Sequence, residues 1–154
     1  MFGTLFSQLG IVILVATFAF ALWKGDAAER LGGGMNLAAG LFAMFLHPLL
    51  NSDVQPIALL VVDAALAAGF LFLAIRFASL WLGVAMLLQA VQFSLHAYYM
   101  VGDLAHDWNY ARINNLDTLG ILICIVGGTA VSWRRRVRKR RLDAEKAAAN
   151  SPAT

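Results

Sequence analysis

The chain has 154 residues, 60% of them apolar and 14% charged, with a mean hydropathy of +0.71. Those proportions exclude a soluble globular domain and a disordered segment, and they fit a single bundle of membrane-spanning helices. A net charge of +3 and an isoelectric point near 9.4 do not point to nucleic acid, because the basic residues lie in loops and one tail beside hydrocarbon-length apolar runs.

A membrane crossing takes about 17 to 25 residues, and five apolar runs approach or meet that length: Leu5 to Trp23, Met35 to Leu50, Ile57 to Ile75, Leu80 to Val101 and Thr118 to Trp133. The first contains Ala19-Phe20-Ala21, which resembles a signal cleavage site, but no Lys or Arg precedes it and its apolar stretch exceeds a usual signal core. It is read as a span over residues 5–23.

Asp26 and Glu29 have capping-box spacing, so a second helix is predicted to start near Ala27 and to cross over residues 31–50. Gly32-Gly33-Gly34 lacks the strand and Lys of a phosphate loop and reads as a flexible interface segment. Asn36, Gly40, Ala43 and His47 then form one stripe, and Pro48 acts as a stop signal.

Pro56 suits the first turn of the third helix, whose span covers residues 57–75 and carries Asp63 about 9 Å below its outer end. Ala64, Ala67, Ala68 and Gly69 permit close helix packing, and Arg76 to Ser79 must form a tight hairpin. On the fourth span, residues 80–101, Gln89, Gln92, His96 and Tyr99 share an arc of about 80°.

The segment from Gly102 to Asp117 holds Asp103, His106, Asp107, Trp108, Tyr110 and Arg112 and reads as a short amphipathic lid or partner-contact surface, with Trp108 and Tyr110 at the lipid interface. Asp117 is predicted to cap the fifth span, residues 117–133. In it Gly120, Cys124 and Gly128 form a small-xxx-small pattern, suited to bundle packing or to homo-oligomer contact. Residues 134–154 form a basic tail, helical to about Ala149, in which Arg134, Arg135, Arg136, Arg138, Lys139, Arg140 and Arg141 suit anionic lipid headgroups.

Eleven of the 12 Lys and Arg residues fall at alternate junctions: Lys24 and Arg30, then Arg76, then the tail through Lys146; Arg112 alone falls elsewhere. The positive-inside rule puts those junctions in the cytoplasm and the N-terminus outside. The same orientation places Asp63, His47 and His96 together in the outer half of the membrane.

Polar side chains facing lipid would be unpaired, so Asp63, His96, His47, Gln92 and Tyr99 are predicted to face one another inside the bundle. An unpaired ionised Asp63 would cost about 2.5 to 3.5 kcal/mol. Such a cluster can be a structural hydrogen-bond network, a site for proton or solute traffic, or, if His47 and His96 face each other, a haem or metal site.

Trp23-Lys24-Gly25 with Glu29-Arg30, Asp63 within a span, Arg76 followed by Trp81, and His96 resemble the pattern of uncharacterised small polytopic membrane proteins of bacteria, over most of Trp23 to Tyr110. The resemblance implies a bacterial inner-membrane location and no activity. The expectation is an all-α, five-span integral membrane bundle acting as a non-enzymatic accessory or scaffold protein. The alternatives are a small transporter or proton-handling protein using the Asp/His pocket and, behind it, a haem- or metal-binding redox protein. No catalytic residue, cofactor or metal is assigned, and the expected partners are membrane lipids, a second copy or another membrane protein, without nucleic acid.

Overall fold

The computed structural model describes residues 2–51, 54–105 and 107–149, without the side chains of residues 2–8 and of His47. The described residues form five α-helices and no strand: α1 (Phe2–Lys24), α2 (Ala27–Leu49), α3 (Gln55–Phe77), α4 (Leu80–Val101) and α5 (Trp108–Ala149). Each helix packs on the next in the chain, and α5 closes the ring on α1 and also touches α2. Three of them, α3, α4 and α5, are long and apolar enough to cross a membrane, and Leu9–Lys24 is a shorter apolar helix.

The local signals explain most boundaries. The N–H of Asp26 donates to Glu29 Oε2 at 2.8 Å in a capping box, and α2 begins at Ala27 as the spacing predicts. Pro48 sits in the last turn of α2, where it removes the helical donor to the carbonyl of Met44, and the helix stops at Leu49. Pro56 lies in the first turn of α3. The hairpin between α3 and α4 is two residues long, with Ala78 in the left-handed region at φ 46 and Ser79 extended.

Three expectations are corrected. Asp117 does not cap the last helix: α5 begins at Trp108, and Asp117 is buried within it. The cap is Asp107, whose Oδ1 accepts the backbone N–H of Tyr110 at 2.8 Å. The segment between α4 and α5 is consequently short, and residues 108–117 are helix instead of loop. The three glycines 32–34 are not a flexible segment either; they lie inside α2, where Gly33 and Gly34 meet Phe18 and Gly32 meets Trp81. Their lack of a side chain lets α1 and the start of α4 approach the α2 backbone.

The apolar core occupies the middle of the bundle, around the fully buried Phe70, Leu82, Ile121 and Ile125. Trp81 wedges between α2 and α5: a Cβ at Gly128 would stand 2.6 Å from Trp81 Nε1, and one at Gly32 would stand 3.1 Å from its Cη2. Gly120 likewise faces Leu88. The small residues of α5 thus serve contact with α4 of the same chain. Outside, Leu49, Ile75, Leu80, Val101 and Trp108 are exposed, as expected of a surface solvated by lipid tails.

The ends of the bundle differ in chemistry. At one end Arg136 bridges to Asp26 at 2.8 Å and donates to the carbonyl of Lys24, and Ser132 donates to the buried Glu29 at 2.8 Å. Lys24 stacks over Trp23 and Trp133 at 4.1 and 4.7 Å. These contacts tie α1, α2 and α5 together at the basic end. α5 continues from there as one helix through the arginine-rich segment to Ala149. The other end carries the Asp63 cluster.

Candidate functional site

Asp63 is predicted to be deep in α3, and its side chain is 8% exposed. The cost of burying it is met by two side chains of α4, about one turn and three turns beyond the core residue Ala85. Gln89 Nε2 donates to Asp63 Oδ1 at 3.1 Å, and His96 Nδ1 meets Oδ2 in an ion-pair contact. With the proton on Nδ1, His96 is the donor and the carboxylate the acceptor. Gln89 and His96 are seven residues apart and share one face of α4, so both can reach a single carboxylate on α3.

A second pair joins α4 to α5: Gln92 Nε2 donates to Asn114 Oδ1 at 3.1 Å. Between the two pairs lies a cavity of 270 Å³ reached by all five helices, with Leu14 from α1, Asn36, Gly40 and Ala43 from α2, Asp63 from α3, Gln89, Gln92 and His96 from α4, and Tyr110, Asn114 and Thr118 from α5. Asn36, Gly40 and Ala43 of the α2 stripe and Gln89, Gln92 and His96 of the α4 arc thus line this cavity together. The side chain of His47, which the sequence places in the same cluster, lies outside the described residues.

Tyr99 takes a different place from the predicted one. Its hydroxyl donates to Asp107 Oδ1 at 2.8 Å, and its ring meets Tyr110 edge-on with centroids 4.9 Å apart. It belongs to an outer vestibule of 610 Å³ that Pro56, Asp103 and Leu104 also line. Tyr110, expected at the lipid interface with Trp108, instead turns inward, its ring 5.5 Å from that of His96. Trp108 is the exposed member of the two. The difference follows from the early start of α5, which puts positions 108 and 110 about 200° apart on a helix. His96, Leu59 and Tyr110 line both the vestibule and the inner cavity, so these three side chains form the boundary between them.

Asp107 is exposed, and the backbone N–H of Tyr110, with the Tyr99 hydroxyl behind it, holds its carboxyl below the ordinary carboxylate range. His106, its neighbour in the loop, lies outside the described residues. Among the described residues no three His, Cys, Asp or Glu side chains come together in a way that could hold a metal ion.

Two buried polar groups, one in the site and one on α5 beside it in sequence, have a weaker sequence signal. Gln89 was legible as part of the α4 arc, but its role as the direct partner of Asp63 depends on the offset between α3 and α4. Asp117 is 5% exposed, on the α5 face that also carries Tyr110, Asn114 and Ile121, and its Oδ2 has no hydrogen-bond partner among the described residues. Its position seven residues after Tyr110 and three after Asn114 was the available clue, outweighed by the usual preference of Asp for helix starts.

No family model, curated protein or solved structure matches the chain.

Proposed function

We propose that the chain is a five-span integral membrane protein, N-terminus outside and C-terminus cytoplasmic, that handles protons at the Asp63–His96 pair. The observation carrying this reading is the direct contact of a buried carboxylate with an imidazole in a cavity bordered by an outer vestibule. A carboxylate and an imidazole are the side chains that exchange protons near neutral pH, and inside a membrane such a pair marks a proton or ion path. The titratable group of α5 that lines the same cavity is Tyr110, with Asp117 buried elsewhere on that helix; the described cavity lining from α1 and α2 is apolar or amide.

The five-span topology rests on two supports. The alternate junctions carrying Lys24, Arg30, Arg76 and the tail follow the positive-inside rule, and α1 and α2 pack into the same bundle as the three more apolar helices. Glu29, the acidic residue of the α2 entry, is bonded to Asp26 and Ser132 and so does not meet hydrocarbon unpaired. The basic segment Arg134 to Arg141 lies against the inner leaflet of a bacterial inner membrane and binds anionic headgroups.

Purified protein in liposomes with an internal pH dye tests the reading. The wild type is expected to dissipate an imposed pH gradient, and Asp63→Asn to slow that at least tenfold while keeping its helix content and its elution volume. Equal rates for the two proteins would return the cluster to a structural network and the protein to an accessory or scaffold role.

A further inference from the structure

At the basic end a groove of 690 Å³ runs between the α3–α4 hairpin on one side and α2 and α5 on the other. Glu29 and Arg135 both line it, and neither has an ion-pair partner among the described residues. Glu29 is 2% exposed, and its oxygens accept only neutral donors, the Ser132 hydroxyl and the Asp26 N–H. A carboxylate at that depth calls for a cation. The neighbouring cations are committed elsewhere: Arg136 pairs with Asp26, Arg30 Nε donates to the carbonyl of Gly25, and Lys24 stacks on Trp23 and Trp133.

Arg135 lies seven residues after Gly128, hence on the same face of α5 and about 10 Å further along, and Gly128 packs on Trp81 at the start of α4. Helical side chains lean towards the N-terminal end of their helix, so Arg135 reaches back over the groove it lines. Across from it Ser79 precedes α4 without a side-chain cap, and the first-turn N–H groups of that helix add partial positive charge to the same side. Leu80 and Val131, both exposed, give the groove an apolar rim. Gly127 also lines it, and a Cβ there would meet nothing within 4 Å, so no group of the chain fills the space beside it.

We propose that this groove binds one phospholipid of the ethanolamine class, its ammonium on Glu29, its phosphate between Arg135 and the start of α4, and its acyl chains leaving over Leu80 and Val131. The ammonium supplies the cation that Glu29 lacks and the phosphate the anion that Arg135 lacks. A glycerol headgroup would bring only negative charge to a groove that also holds Asp26, and a choline has no N–H to donate. The volume lies within the range of small-ligand sites. The site shares with the proton-handling reading only the placing of the bundle in a membrane.

Native mass spectrometry of the full-length protein in detergent, equilibrated with equal amounts of dioleoyl phosphatidylethanolamine, phosphatidylglycerol and phosphatidylcholine, tests the site. One phosphatidylethanolamine is expected to be retained in preference to the other two lipids. Glu29→Gln keeps the helix cap through its amide oxygen and lets the Ser132 hydroxyl accept from the amide N–H, so it removes the charge alone. It is expected to lower that retention about tenfold, the loss of one charge-assisted hydrogen bond, and to abolish the preference over phosphatidylcholine. Arg135→Gln is expected to lower retention to a similar degree, and Gly127→Phe, which fills the groove without changing a charge, to prevent it, each with unchanged elution and helix content. Excess inorganic phosphate is expected not to compete; competition would make the ligand a free anion and overturn the proposal. Equal retention of the three lipids, a preference for phosphatidylglycerol, or variants that retain lipid as the wild type does would overturn it as well. None of these results bears on proton flux in liposomes, and failed proton flux leaves lipid retention measurable.

Discussion

Two residues in unusual local settings give predictions independent of the site's function. Ala78 holds the α3–α4 hairpin in the left-handed region at φ 46 and ψ 45, a conformation that costs an L-residue about 1 kcal/mol and glycine almost nothing. Ala78→Gly is therefore expected to stabilise the bundle by up to about 1 kcal/mol, offset in part by the greater freedom of glycine when unfolded. A higher midpoint of thermal unfolding in detergent checks this. Asp107 caps α5 while its carboxyl titrates below its ordinary range. Its folded value is depressed, so its stabilisation is fully present above the ordinary carboxylate range and lost as pH falls through the depressed value. Hydrogen exchange in the first turn of α5 is expected to quicken in that acidic window. Asp107→Ala should show the quicker exchange already at neutral pH.

The elements are legible where a residue type has one local consequence. The capping box of Asp26 and Glu29 sets the start of α2 and Pro56 marks the first turn of α3, each through a backbone requirement the sequence states directly, whereas the hairpin within Arg76 to Ser79 follows only from the few residues left between two spans. They are hidden where one residue type serves two roles. Asp117 has the chemistry of a cap and the position of a buried acid, and only the packing of α5 against α4 separates the two. Gly32 to Gly34 have the composition of a loop, yet neighbouring helices need them small. Packing of this kind is testable at Gly128. A methyl group there would meet the rigid indole of Trp81 at 2.6 Å, so Gly128→Ala is expected to destabilise by about 1 to 3 kcal/mol despite its better helix propensity. Trp81→Phe in the same protein, which narrows the ring, should restore part of the loss; the denaturation midpoints of the three proteins measure it.

At the scale of the molecule, charge and polarity divide the bundle lengthwise. The basic residues gather at one end, where Arg136 and Ser132 pin α5 to the start of α2, and the Asp63 cluster lies towards the other, with the apolar core between. That separation was legible in the sequence because it follows from helix alternation and the rise per residue alone. Which polar residues touch was not, since the pairing of Asp63 with Gln89, of Gln92 with Asn114 and of Tyr99 with Asp107 depends on the vertical offset and rotation of neighbouring helices. The central claim is that Asp63 exchanges its proton with the outer medium through His96. Infrared difference spectra of the protein in lipid bilayers, recorded on alternating the bulk pH, test it most directly: the account predicts a carboxyl C=O band that appears and vanishes with pH in the wild type and is missing from Asp63→Asn but present in Asp117→Asn. A difference spectrum that Asp63→Asn leaves unchanged would contradict it.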